Sequence, residues 1–208
     1  MQWGNSFLER SVARMLDRVV IPEDLRRRKG RVMMHLSDTP SSFYRCLRRI
    51  LEILDPPCIL HTGDFVDEIK LEQTKRDVAL YKKRVKDLVY VLRGGCTRDV
   101  FFVTGNHDLY DVVVQEAHGC VVLETGGTVT VCGKRVNAGH SFSDLPAGHC
   151  RFNFFGHDTT VPPERDDSLF FNGVLSMNFV GIQDDEIFTL NYPSYVQRER
   201  QRIRSMGL

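Results

Sequence analysis

The sequence predicts an α/β fold, and its hydrophobic pattern carries that prediction. In the first half, short apolar runs alternate with segments whose apolar residues recur at helical spacing. In the second half, short runs separated by turn residues indicate mostly strands. Alternation of the first kind implies a parallel sheet flanked by helices. The 208 residues are 42% hydrophobic, which suits one domain with a sizeable core.

Three segments are expected along the chain. Residues 1–30 form an N-terminal helical extension, in which an amphipathic helix over residues 6–20 is followed by a solvated basic stretch. Residues 31–194 form the domain. Residues 195–208 are a basic tail, either a helix that packs on the body or one that contacts another subunit, so a homo-oligomer stays open.

The order of elements within the domain follows from the same periodicities. Strands in the first half are predicted at residues 32–36, 58–61 and 100–103, with helices over 43–54 and 78–92. Strands in the second half are predicted at residues 121–124, 128–132, 135–138, 151–155, 169–174 and 186–190. A tight hairpin turn is predicted at Cys132-Gly133, where glycine supplies a positive φ.

Composition limits the partners and the compartment. With 28 basic and 27 acidic residues, the chain has no overall field to gather nucleic acid or an anionic membrane, so an anionic substrate must be captured locally. We expect neither a leader peptide nor a membrane span. The six cysteines form no CxxC pair, and those in apolar runs, such as Cys58, are predicted to be reduced and buried. A cytoplasmic location is therefore expected.

Polar residues follow each of the first three predicted strands. The strands run into Ser37-Asp38-Thr39, Thr62-Gly63-Asp64 and Thr104-Gly105-Asn106-His107-Asp108. Because the carboxyl ends of parallel strands meet at one edge of a sheet, these side chains are expected in one cleft. Carboxylates, an amide oxygen and imidazoles together make a site for a hard or borderline metal ion. Gly63 and Gly105 let the backbone turn sharply there.

Two later histidines extend the pattern. Gly139-His140 and Gly156-His157 each close a predicted strand. A single histidine in such a place is more often a surface or hydrogen-bonded residue than a ligand. Five polar strand ends in one chain are much harder to attribute to chance, so both histidines are candidate ligands.

The ordered series from Asp38 to His157 resembles the calcineurin-like metallophosphoesterase superfamily, and looks most like its small phosphodiesterase-like branch. The resemblance spans residues 31 to about 192, and Gly-Asn-His-Asp at residues 105–108 is its most specific part. It implies a four-layer α/β/β/α sandwich of two mixed sheets flanked by helices. It also implies hydrolysis of a small-molecule phosphate ester, a diester or a monoester, with one or two divalent ions (Mn²⁺, Fe²⁺, Ni²⁺, Zn²⁺ or Mg²⁺).

The same resemblance implies roles for individual residues. Asp38 binds the first ion, Asp64 bridges the two, and the second ion takes Asn106, His140 and His157. His107 faces the substrate as a catalytic residue. Asp108 orients its ring or serves as a turn residue, and both readings stay open.

The sequence departs from the family pattern at two first-ion ligands. Pro40 and Thr159 stand where the family usually has histidines. Asp158 and His149 are candidate replacements, whereas His35 and His61 are expected to be buried and hydrogen-bonded. Pro40 is predicted to start a helix capped by Thr39 or Asp38. These losses also keep open an alternative function, a catalytically weakened scaffold for protein–protein interaction.

Overall fold

The computed structural model describes residues 19–69, 77–94, 98–160, 162–163 and 167–205. Almost all of the helix predicted over residues 6–20 lies outside the described residues. None of the described helices has the length and apolar character needed to cross a membrane.

A six-stranded mixed sheet forms the centre of the domain, in the order β10-β9-β1-β2-β3-β4. Strands β1 to β4 run parallel, β9 pairs antiparallel with β1, and β10 pairs antiparallel with β9. The strands are β1 (Val32–Leu36), β2 (Cys58–His61), β3 (Asp99–Val103), β4 (Val121–Leu123), β9 (Met177–Gly181) and β10 (Ile187–Leu190). Strand β9 was not predicted, because its residues are buried throughout and show no alternation.

The helices pack on one face of this sheet around the larger hydrophobic core. They are α1 (Glu23–Arg26), α2 (Tyr44–Leu54), α3 (Val78–Arg93), α4 (Tyr110–Glu116) and α5 (Ser194–Ser205). Tyr81 of α3 and Val196 of α5 are fully buried there. Helix α5 thus packs on the body of the domain, the first of the two readings of the basic tail. The short helices α1 and α4 were not predicted.

A second mixed sheet of four strands, in the order β5-β6-β7-β8, covers the other face. Its strands are β5 (Gly126–Val131), β6 (Lys134–Gly139), β7 (Phe152–Phe155) and β8 (Leu169–Asn172). Phe154 packs between the sheets, and a 3₁₀ turn over Phe142–Asp144 covers the outer face, where Phe142 contacts Phe155 and Phe170. The predicted fold class, two mixed sheets with flanking helices, is confirmed.

The hairpin between β5 and β6 has the predicted tight turn. Cys132 has a φ of 50° and Gly133 a φ of 79°, so the two-residue loop has positive φ at both positions. That twist matches the twist of the flanking strands.

The prediction that Cys58 is a reduced thiol is wrong, because Cys58 forms a disulfide with Cys132. The bond joins β2 of the first sheet to the β5–β6 turn of the second. No local pattern indicates this bond, since the two residues are 74 positions apart and become neighbours only when the sheets stack. Cys120 and Cys150 are free thiols.

The segment after β1 also differs from its prediction. Pro40 precedes a 3₁₀ turn, Ser41–Phe43, rather than forming the first residue of α2. Neither Thr39 nor Asp38 caps it, because the Thr39 hydroxyl bonds His61 and the Asp38 carboxylate accepts from Ser37. The Ser41 amide donates instead to Glu68, from the loop after β2.

Candidate metal centre

Asp64, Asn106 and His140 converge at one end of the stacked sheets. They follow β2, β3 and β6, respectively. His140 Nε2 lies 3.0 Å from Asn106 Oδ1 and 3.6 Å from Asp64 Oδ1. Ligand atoms that share an ion at bond lengths near 2.1 Å are about 3 Å apart when they subtend a right angle, so these separations suit one ion.

The hydrogen bonds around His140 decide which ring nitrogen faces the site. Nδ1 lies 2.7 Å from the carbonyl oxygen of Thr62, and a carbonyl can only accept, so Nδ1 carries the proton. Nε2 then faces the oxygens of Asp64 and Asn106. A backbone carbonyl on the other ring nitrogen is typical of a metal-binding histidine.

His157 completes this group from the end of β7. Its ring centroid lies 4.8 Å from that of His140, and its ligand atom lies within 4.8 Å of those of Asp64 and His140. The residue is exposed and has a φ of 65°, and its amide donates to Asp38 Oδ2 at 3.1 Å. A left-handed conformation at a histidine is unusual and orients its side chain into the site.

A second group consists of three buried carboxylates. One oxygen each from Asp38, Asp64 and Asp67 lie within 4.8 Å of one another. Asp64 belongs to both groups, as a bridging residue would. Sequence reasoning missed Asp67, which is three residues after Asp64 in Gly-Asp-Phe-Val-Asp. A spacing of three in a turn, which returns a side chain to the same side, was the available signal.

Asp38 is held from several directions. Its Oδ2 accepts from Ser37 Oγ at 2.6 Å and from the His157 amide, and its own amide donates to Gly63 O at 3.0 Å. Its φ is 49°, so the carboxylate reaches the site through a left-handed turn. Bonds that fix an unfavourable conformation are typical of functional positions.

The proposed replacement ligands lie elsewhere. His35 and His61 are fully buried and bond Thr62 and Thr39, as expected, and burial lowers the pKa of His35 to about 3 and that of His61 well below its ordinary value. His149 is exposed, and Asp158 accepts from the Thr160 amide. Within the described residues, none of these four belongs to a group that could hold an ion.

Asp108 connects the loops that carry the ligands. Its carboxylate accepts from the amides of Asp64, Phe65 and Gly105 at 2.7 to 3.1 Å, and from the Tyr81 hydroxyl at 2.8 Å. Burial raises the pKa of Asp108, and these hydrogen bonds oppose the rise. The contacts hold Asp64 and Asn106 in register between β2 and β3.

His107 lies at the rim, half-buried. Its amide donates to Asp64 Oδ1 at 3.3 Å, and its Nε2 lies 3.1 Å from Asn106 Nδ2. The contact with Nδ2 leaves Oδ1 of Asn106 directed toward His140. His107 therefore flanks the group of Asp64, Asn106, His140 and His157.

Glycines at strand ends allow the ligands to pack this closely. Gly63 has a φ of 99°, as predicted for a sharp turn. Gly105 has no positive φ, but it begins the predicted sharp turn, which the Asp108 amide closes by donating to Gly105 O at 3.1 Å. A glycine is required there because a Cβ would overlap the Asp64 carboxylate and the His140 ring. A Cβ on Gly156 would overlap Ser37 Oγ.

Comparison with known families agrees with this geometry. The family model for calcineurin-like phosphoesterases matches residues 32–200. The chain therefore belongs to the calcineurin-like phosphoesterase family, whose members use divalent metal ions. None of the curated proteins compared with this chain matches it.

Solved structures of similar shape include proteins of low identity. YfcE, a phosphoesterase from E. coli, is 16% identical over 78% of this chain and 99% of its own, with a TM-score of 0.48. A nuclease MPE from Pseudomonas putida is 16% identical over 68% of this chain and 65% of its own, with a TM-score of 0.35. A further structure is 9% identical over 78% and 99%, with a TM-score of 0.53, and shares the fold.

Proposed function

We propose that this chain hydrolyses a phosphate ester at a centre built for two divalent ions. The observation that carries the proposal is the convergence of His140 Nε2 with Asn106 Oδ1 at 3.0 Å and with Asp64 Oδ1 at 3.6 Å, beside the ligand atom of His157. Two further observations support the same conclusion. The chain belongs to a phosphoesterase family, and Asp64 also lies in the group of three carboxylates with Asp38 and Asp67.

The two positions differ in ligand chemistry. Asp64, Asn106, His140 and His157 mix oxygen and nitrogen atoms, which suits Mn²⁺, Fe²⁺, Ni²⁺ or Zn²⁺. Asp38, Asp64 and Asp67 offer oxygen alone, which suits Mg²⁺ or Mn²⁺. Asp67 thereby supplies the first position with a ligand that Pro40 and Thr159 do not.

The divalent ions, His107 and Asp108 have different roles in the proposed reaction. When bound, divalent ions supply charge neutralisation for the phosphoryl group and activation of a water molecule. His107, at the rim, contacts the phosphoryl oxygens or protonates the leaving oxygen, which is its predicted catalytic role. Asp108 holds the loops of Asp64 and Asn106, and its action on the ring of His107 stays a prediction.

The substrate is proposed to be a small phosphate ester, a diester or nucleotide-like compound before a monoester. A nucleic acid is not favoured, because the net charge is only +1. The cytoplasmic location stays a prediction. The Cys58–Cys132 disulfide weakens one argument for it, since such bonds are rare in reducing compartments.

The test combines a variant with a metal analysis. His107→Ala should lower turnover of a chromogenic diester by about 10²- to 10⁴-fold, the usual contribution of an acid–base group, with metal per chain unchanged. His149→Ala is the matched control, because His149 is exposed and outside both ligand groups. Full activity of His107→Ala would remove the role of His107.

An assay of the wild-type chain distinguishes the alternative function, a scaffold that has lost catalysis. It predicts no hydrolysis of a monoester or a diester in millimolar Mn²⁺, Ni²⁺, Zn²⁺ or Mg²⁺. Pro40 and Thr159 motivated it, and the position of Asp67 near Asp38 and Asp64 counts against it. Hydrolysis with any of the four metals would exclude the scaffold reading.

A further inference from the structure

Helix α5 buries an arginine beneath the first ion position. Arg200 is only 4% exposed, and its guanidinium donates to three backbone carbonyls. Nη2 lies 2.7 Å from the oxygens of both Ser37 and Asp38, Nε lies 2.9 Å from Asp38 O, and Nη1 lies 2.7 Å from Val174 O. The group thus uses all three of its nitrogens.

The partners of this guanidinium are unusual for a buried charge. Within the described part of the chain, Arg200 forms no ion pair, although burial of a charge without a counter-ion is expensive. The ring of Tyr192 lies 4.1 Å from its Cζ and contributes a cation–π contact. Arg200 therefore occupies a position where a smaller apolar residue would avoid the cost of burying a charge.

The carbonyls that Arg200 binds belong to the segment that presents Asp38. The Asp38 amide bonds Gly63 O, so Arg200 completes the fixation of this peptide from the opposite side. The Tyr192 hydroxyl donates to Gly173 O at 2.8 Å and lies 3.4 Å from the Ser37 amide. Together these bonds hold Asp38 at its φ of 49°.

We propose that Arg200 is a positioning residue for the first ion position, which makes helix α5 part of the metal centre. The inference rests on the two positions of the proposed function. Arg200 acts through Ser37 and Asp38, and among the described residues its hydrogen bonds reach no side chain of the second position. Loss of Arg200 should therefore weaken metal binding at the first position and leave the second position unchanged.

The test is a Mn²⁺ titration of the full chain by calorimetry, with the wild type and Arg200→Lys. Lysine keeps the charge, but three donors on one nitrogen cannot reproduce the four hydrogen bonds that the guanidinium makes from three nitrogens. We expect the affinity of the first position to fall by about 10- to 100-fold, as for other groups that orient metal ligands, with the second position unchanged. Asp67→Asn and His157→Ala assign the two isotherms to their positions.

Arg198→Lys is the matched control, since Arg198 is exposed on the same helix and bonds Ser194. It should leave both isotherms unchanged. Tyr192→Phe, which removes only a hydroxyl, provides a second variant if Arg200→Lys does not fold, and it should weaken the same position to a smaller extent.

Equal weakening at both positions, unchanged isotherms, or a wild-type chain with one site would each overturn the inference. Hydrolysis is measured separately. If the wild type binds two ions, Arg200→Lys weakens one, and no phosphate ester is cleaved, the proposed function fails while the role of Arg200 stands.

Discussion

The two ion positions are assembled in different ways, although they share Asp64. The second position draws Asn106 from the first sheet and His140 and His157 from the second, so it exists only because the sheets stack. The first position draws Asp38 and Asp67 from loops of the first sheet alone. Helix α5 holds one of those loops through Arg200.

This difference indicates how each position should fail. The second position depends on the contact between sheets, where the His140 ring bonds Thr62 O and Cys58 bonds Cys132. The first depends on the local conformation of residues 37 and 38. A change in one support should thus affect one position more than the other, and only the shared carboxylate should affect both.

The largest effect is expected from Asp64→Asn. Asparagine keeps the shape of the side chain and removes the charge and the second ligating oxygen, so neither position should hold its ion. We expect the metal affinity of both positions to fall by more than about 100-fold. Residues that only orient a metal ligand already contribute up to about 100-fold in affinity, and Asp64 is itself a ligand. Elemental analysis and diester hydrolysis measure it, and Asp99→Asn, exposed at the start of β3, is the control. Two ions per variant chain would contradict a bridging role.

Asp67→Asn should affect the first position alone. Its affinity for Mg²⁺ or Mn²⁺ is expected to fall by about 10- to 100-fold, while the second position keeps its ion. Asp158→Asn is the matched control, since Asp158 stands next to the missing histidine but bonds Thr160. If Asp158→Asn had the larger effect, the assignment of the replacement ligand would be reversed.

Cys58→Ser should loosen the contact between sheets. Loss of a cross-link over 74 residues is expected to lower the free energy of unfolding by about 4 kcal/mol, and the second position should lose more affinity than the first. Chemical denaturation and Mn²⁺ titration measure the two effects. Cys120→Ser, which alters a free thiol, is the comparison. Equal stability of the two variants would show that the bond contributes nothing.

The smallest expected effect is a loss of folding stability at acid pH. Burial lowers the pKa of His35 to about 3, so the unfolded chain takes up its proton first, near pH 6.5. Stability is therefore complete above about pH 6.5 and falls toward pH 3, by about 1.4 kcal/mol per pH unit for this residue. Thermal unfolding of the metal-free chain from pH 7 to 5 measures it. His35→Gln should flatten the slope and exposed His149→Gln should not, whereas equal slopes would refute the effect.

The sequence was most informative where local pattern and function coincide. The strand ends at Asp38, Asp64 and Asn106, and the turn at Cys132-Gly133, follow from spacing and glycine placement. Strand β9 was not predicted, because a fully buried strand shows no alternation of apolar and polar residues. Asp67 was missed although its spacing of three from Asp64 was a usable signal, because that spacing does not show that the turn after β2 also approaches Asp38.

The sequence by itself determined the α/β class, the family and the residue types able to hold an ion, since periodicity and short motifs are local properties of the chain. Only the tertiary structure decided that Asp67 joins Asp38, that Cys58 bonds Cys132 and that Arg200 lies under the site. The physical reason is distance along the chain. Contacts between residues 29 to 162 positions apart depend on how the loops, the sheets and α5 pack, and no local pattern encodes that arrangement.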